Sequence, residues 1–128
     1  QMSISVDDQE AMEFDGDGIV LATPTGTTAY SMSAGGPIVE PGAENIIVTP
    51  ICAHSMSIRS LVLARDRSIT TRIGRIGKRS AFLSVDGGKA FRLSAEDEVI
   101  VTASNRSIQL IRLKDTSFYG VLNHKFQG

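Results

Sequence analysis

Residues 23–33, Thr23-Pro24-Thr25-Gly26-Thr27-Thr28-Ala29-Tyr30-Ser31-Met32-Ser33, carry seven hydroxyl side chains in eleven positions. A hydroxyl both donates and accepts, so this density suits a ribose or a base edge. Tyr30 adds an aromatic face for stacking. The short apolar run Ile19 to Ala22 leads in, and Gly35-Gly36-Pro37 closes the stretch. A strand that runs into a Pro/Gly loop and then a helix start presents backbone N–H groups, which favour acceptor-rich ligands. The same residues also suit an ordinary capped turn whose hydroxyls satisfy its own backbone. Chemistry alone leaves both readings open.

Other spacings are less productive. Asp15-x-Asp17 begins like a calcium loop, but Ile19, Val20 and Gly26 stand where ligands, a Gly and a Glu are needed. Gly77-Lys78 is followed by Arg79 and lacks the upstream Gly of a phosphate-binding Walker loop. His54, His124 and Cys52 make no zinc ligand set, so no metal ligand is assigned. No Gly-x-Ser-x-Gly elbow is present. His54 reads as a packed or surface residue and Cys52 as a small buried hydrophobe.

These residues must be positioned by a chain of 128 residues, which suits one domain over 1–128. A single cysteine excludes an internal disulfide. No apolar run approaches the roughly 20 residues of a membrane span, and no signal peptide is visible, so a cytoplasmic protein away from membranes is expected. Net charge is −1, which argues against nucleic acid as a partner. The charge is uneven. No Lys or Arg precedes Arg59, whereas 59–79 hold seven basic residues and one acid, Asp66. That run is either a solvated strand-and-turn face or a patch for a polyanion or an acidic partner surface.

Short β-branched segments dominate. Strands are expected at Met2 to Val6, Ala11 to Phe14, Ile19 to Ala22, Ile46 to Val48, Leu61 to Leu63 and Ile69 to Ile73. Further strands are expected at Ala81 to Val85, Ala90 to Leu93, Glu98 to Thr102 and Ser107 to Leu113. Asp7-Asp8 and Asp86-Gly87-Gly88 are turn sequences. Strands without intervening helices point to an all-β sandwich. Helix is expected only from Thr28 to about Ala34, capped by threonine, and from Ser117 to about Phe126.

Asp17-Gly18 through Gly35-Gly36-Pro37 resembles the signature of NAD kinases, in which Gly-Asp-Gly precedes Thr-Pro-Thr-Gly-Ser/Thr-Thr-Ala-Tyr-Ser. The resemblance continues through Thr49-Pro50-Ile51-Cys52, His54-Ser55-Met56-Ser57, Arg59 to Leu63, Ser84-Val85-Asp86-Gly87 and Ser117-Phe118-Tyr119. It implies a C-terminal β-sandwich domain of a two-domain enzyme, with the N-terminal α/β domain as its missing partner. That enzyme transfers phosphate from ATP or polyphosphate, with Mg2+ or another divalent cation, to the adenosine ribose 2′-hydroxyl of NAD, giving NADP. It also implies a dimer or tetramer with sites near subunit contacts. The cofactor-binding residues so implied are Asp17, Thr25, Thr28, Ala29, Tyr30, Ser31 and Ser33, with Asp17 toward the nicotinamide end.

The chain departs from the pattern in places. The catalytic Gly-Gly-Asp-Gly and an Asn-Glu/Asp pair that holds the ribose have no counterpart here, so no catalytic residue is assigned. Gly88 stands where relatives often have Gln, and Asp15 where they often have a basic residue. The opening alternation from Gln1 reads as a strand cut from a longer protein. The expectation is therefore a chain that binds NAD and mediates oligomerisation but is inactive alone. The rival is a non-catalytic β-sandwich that has lost its ligand and serves as an interaction surface. Phe118, Tyr119, Leu122 and Phe126 are expected to dock the N-terminal domain.

Overall fold

The computed structural model describes residues 1–109, 111, 113 and 117–126. Its strands are β1 (Met2–Val6), β2 (Gln9–Phe14), β3 (Gly18–Ala22), β4 (Asn45–Ile51), β5 (Leu61–Ala64), β6 (Ile69–Ile73), β7 (Ala81–Leu83), β8 (Phe91–Leu93) and β9 (Glu98–Val101). Its helices are α1 (Tyr30–Ser33) and α2 (Phe118–Phe126), with a 3-10 turn at Thr25–Thr28. The fold is all-β. One antiparallel sheet has the order β2-β1-β6-β9, a second β3-β4-β5, and β7-β8 form a hairpin.

Asp7 and Asp8 join β1 to β2, both with positive φ (48° and 67°). Two left-handed residues match the right-handed twist of a tight hairpin, and Asp tolerates that conformation. Alternation then sorts the side chains. Ile4, Met12, Phe14 and Ile69 of the first sheet meet Ile46 and Val48 of the second in one buried core. Each such side chain contributes about 1.5–3 kcal/mol by leaving water. Residues 46–49 do not alternate, because β4 is covered on both faces: Ile47 and Thr49 are buried as well. What covers that second face is the hydroxyl-rich loop.

Three expectations need correction. The helix from Thr28 to Ala34 is broken at Ala29 (φ −97°, ψ −131°) into the 3-10 turn and α1, and no threonine side chain caps it. The Thr27 hydroxyl instead donates to the Pro24 carbonyl at 2.7 Å and accepts from Val39 N–H at 3.1 Å, competing with helix for the backbone. Ser107, Ile108 and Gln109 form no strand and are exposed, since no neighbouring strand pairs with them among the described residues; Leu110 and Arg112 lie outside those residues. Cys52 is exposed at φ +48°, in the bend that leaves β4. The basic run 59–79, expected as a solvated strand-and-turn face or a patch, is spread over several elements: Arg67 precedes β6, Arg72 lies on it, and Arg75, Lys78 and Arg79 follow it.

The expected tail helix is present. The Ser117 hydroxyl accepts from Gly120 N–H at 3.0 Å, an N-cap bond. None of its side chains is buried. Tyr119 donates from its hydroxyl to the Glu40 carboxylate, tying α2 to the loop before β4. That bond pushes the phenol pKa up.

Candidate functional site

The loop between β3 and β4 folds back over the outer face of the second sheet. Its 3-10 turn is closed by Thr27 N–H to Pro24 at 3.3 Å and Ala29 N–H to Gly26 at 3.2 Å. Gly26 N–H also donates to Thr23 Oγ1 at 3.2 Å. Thr27 and Ser31 are fully buried, so they face β4 and not solvent. Gly36 N–H donates to the Ser31 carbonyl at 2.8 Å, bringing the chain back to its start. A Cβ at Gly36 would lie 2.6 Å from Thr49 Oγ1, 2.7 Å from Ser31 Oγ and 2.8 Å from the Ser31 carbonyl oxygen. Only glycine fits that gap. Ser60 Oγ completes the layer with a bond to Thr49 Oγ1 at 3.2 Å.

This inner seam fixes the outer surface. Tyr30 is 62% exposed, at the start of α1. Thr25, Ala29 and Ser33 are exposed and Thr28 half-buried around it. The loop thus divides its hydroxyls: Thr27 anchors it, while those of Thr25, Thr28, Tyr30 and Ser33 remain on the accessible side. Ser31 belongs to the buried side. Its Oγ has no hydrogen-bond partner, an uncommon cost inside a protein.

Asp17 sits elsewhere. It precedes β3, and the loop follows it; at about 3.3 Å of rise per residue, Asp17 and Thr23 are about 20 Å apart along the strand. The Asp15–Asp17 bend is clamped to the end of β4. Asp17 N–H donates to the Ile51 carbonyl at 2.9 Å, and His54 N–H to the Asp15 carbonyl at 2.8 Å. A Cβ on Gly16 would meet Phe14 Cε2 at 2.9 Å and the Ile51 carbonyl at 3.0 Å, so the approach requires glycine. The exposed Asp17 carboxylate pairs with Arg79 at 3.8 Å. Asp17 thus stands at the opposite end of β3 from the point where the loop begins.

Sequence reasoning missed Thr27, Thr49 and Ser60 as the seam beneath the loop. The unbroken run Ile46 to Thr49 was the available signal, because a strand buried on both faces does not alternate. Among the described residues no group of three or more His, Cys, Asp or Glu side chains is gathered to hold a metal. No helix among the described residues is long and apolar enough to cross a membrane.

The family of ATP-NAD kinase C-terminal domains matches residues 1–113. The NAD kinase of Carboxydothermus hydrogenoformans is 41% identical over 125 residues, which cover 98% of this chain and 44% of that protein. The NAD kinase of Aquifex aeolicus is 40% identical over 124 residues, covering 97% and 45%. Among solved structures, yeast NADH kinase complexed with NADH superimposes with a TM-score of 0.73 at 42% identity, over 79% of this chain and 29% of that one. An NAD kinase from Archaeoglobus fulgidus in complex with ATP gives 0.71 at 30% identity, over 81% and 39%. The chain spans less than half the length of the curated relatives it matches.

Proposed function

The chain belongs to the ATP-NAD kinase C-terminal domain family, and from that premise we propose that it is the dinucleotide-binding half of a cytoplasmic enzyme that phosphorylates the 2′-hydroxyl of the adenosine ribose of NAD to give NADP. The observation that carries this reading is the seated loop: an exposed aromatic ring flanked by free hydroxyls on a backbone that glycine and buried threonine hold in one shape. Tyr30 stacks on a base. Thr25, Thr28 and Ser33 exchange hydrogen bonds with ribose or amide groups. Ala29, exposed and small, lets the ligand lie close to the backbone. Pre-forming this surface lowers the ordering cost of binding.

The chain's residues bind and orient the acceptor, and no base for the 2′-hydroxyl is assigned among the described ones. ATP or polyphosphate provides the phosphoryl group. In-line transfer needs that donor and a positioning group held against the ribose, and we assign these to the rest of a longer protein. The isolated chain is accordingly inactive in a magnesium/ATP assay, and the exposed side of α2, with Tyr119 60% and Phe126 49% exposed, docks that additional domain. Assembly into a dimer or tetramer is part of the same proposal.

Titration with NAD, wild type beside Tyr30→Ala, tests the reading. Loss of one stacked base costs about 1–3 kcal/mol, by analogy with aromatic–base platforms. Equal affinity in the two proteins removes Tyr30 from the site. No binding by the wild type favours the interaction module without a ligand.

A further inference from the structure

Between Asp66 and Asp86 the sequence has no acid and five basic residues: Arg67, Arg72, Arg75, Lys78 and Arg79. The fold sorts them. Arg67 is held by Asp7 at 3.0 Å at one end of β6. Arg72, near the other end, pairs with Glu96. The remaining three lie together on the loop between β6 and β7, residues 74–80.

That loop is a tight, rooted turn. Gly74 N–H donates to the Gln1 carbonyl at 2.8 Å, and Arg79 N–H to the Ile76 carbonyl at 3.2 Å. Gly77 supplies the positive φ of 64° that the turn requires. Arg75 and Lys78 have no carboxylate within ion-pair distance among the described residues. Among the acids beside the loop's root, Glu13 accepts from Gln1 Nε2 and Asp15 lies 3.4 Å from the Gln1 amino nitrogen. Glu96 is bound to Arg72, and Asp97 Oδ2 accepts from Ser94 N–H at 2.7 Å. Arg79 faces Asp17 at 3.8 Å, but both side chains are mostly exposed, 70% and 58%. Such a pair is weak and yields readily to a stronger anion.

We propose that the β6–β7 loop is a binding site for a chain of phosphates, through Arg75, Lys78 and Arg79. Arg75, Lys78 and Arg79 fall within five residues of one tight turn, and charges that come within the roughly 8 Å screening length of physiological salt act together on a multiply charged chain. Arginine forks and a lysine point charge both suit phosphate oxygens. A single orthophosphate engages one or two of these groups; a linear chain spans all three. The site stands on this electrostatic arrangement and does not depend on the NAD-binding role of the β3–β4 loop.

The experiment is calorimetric titration of the protein with tripolyphosphate, ATP and orthophosphate at low and at physiological salt. Wild type is compared with the double variant Arg75→Ala/Lys78→Ala, which leaves the Arg79–Asp17 pair in place, and with Arg65→Ala at the opposite end of β6. Tripolyphosphate is expected to bind more tightly than orthophosphate and to weaken about tenfold in the double variant, as loss of two charge-assisted contacts implies. Arg65→Ala, NAD affinity and the melting temperature are expected to stay unchanged. If ATP weakens in parallel, the loop takes a nucleotide's phosphates; if tripolyphosphate alone weakens, it takes the free chain. Unchanged tripolyphosphate affinity in the double variant, or no binding by wild type at low salt, overturns the proposal. NAD binding that persists in that event leaves the dinucleotide reading standing.

Discussion

Gly36→Ala is the most demanding perturbation of the candidate site, because it adds one methyl group and touches no ligand. That methyl would lie 2.6–2.8 Å from Thr49 Oγ1, Ser31 Oγ and the Ser31 carbonyl. Normal contact is about 3.5–4.0 Å, so each neighbour must retreat by most of an ångström. The Ser31 carbonyl is backbone and Thr49 lies in the central strand β4, so neither can swing aside as the Ser31 hydroxyl can. Overpacking of this kind costs about 1–3 kcal/mol. For a domain of this size, about 2 kcal/mol lowers the melting temperature by roughly 8 °C. Relief comes most easily by lifting the loop off the sheet, which shifts Tyr30. The variant is therefore expected both to melt earlier and to bind NAD several-fold more weakly. Gly35→Ala is the internal control. Its φ is +89° with open space around it, so the substitution costs backbone strain of about 1 kcal/mol without a clash. Thermal melts and NAD titrations of both variants decide the matter. A Gly36→Ala protein as stable as wild type would refute the seating of the loop on β4.

Ser31→Ala removes a buried hydroxyl that has no partner. Stability is expected to hold or rise slightly in thermal melts, since an unsatisfied buried group costs about 1–3 kcal/mol; unchanged NAD affinity assigns Ser31 to packing, and a loss assigns it to the ligand. Asp7 accepts from Ser68 N–H and from Arg67, which together hold its carboxyl below the usual carboxylate range. Its stabilisation is present above the ordinary Asp pKa and is lost as pH falls through the lowered one. Asp7→Asn is thus expected to melt below wild type at neutral pH and to converge with it in acid; a constant gap would contradict this. Tyr119→Phe cuts the bond to Glu40. Protease cleavage within α2 is expected to quicken, with the melting of the sheets unchanged.

Much of this was legible in the sequence. Alternation and Asp7-Asp8 placed the β1–β2 hairpin, and the strands from Leu61 to Leu63 and Ile69 to Ile73 follow from their β-branched runs. The loop was recognisable from its hydroxyls, glycines and single tyrosine. Its internal division was not. Whether Thr27 or Thr25 points inward depends on the break at Ala29, which tertiary seating on Thr49 decides and local propensity does not. The separation of Arg75, Lys78 and Arg79 from Arg67 follows likewise from the five-residue strand β6 that lies between them. Ser107 to Gln109 alternate well, yet alternation specifies a strand only where a neighbour offers a free edge.

The most direct test follows backbone amide chemical shifts during NAD addition. The largest changes are expected within Thr25 to Ser33, with Tyr30 and its neighbours saturating together. Shifts concentrated on the opposite sheet, around Ser3, Ser5 and Thr70, with residues 23–36 unmoved, would contradict it.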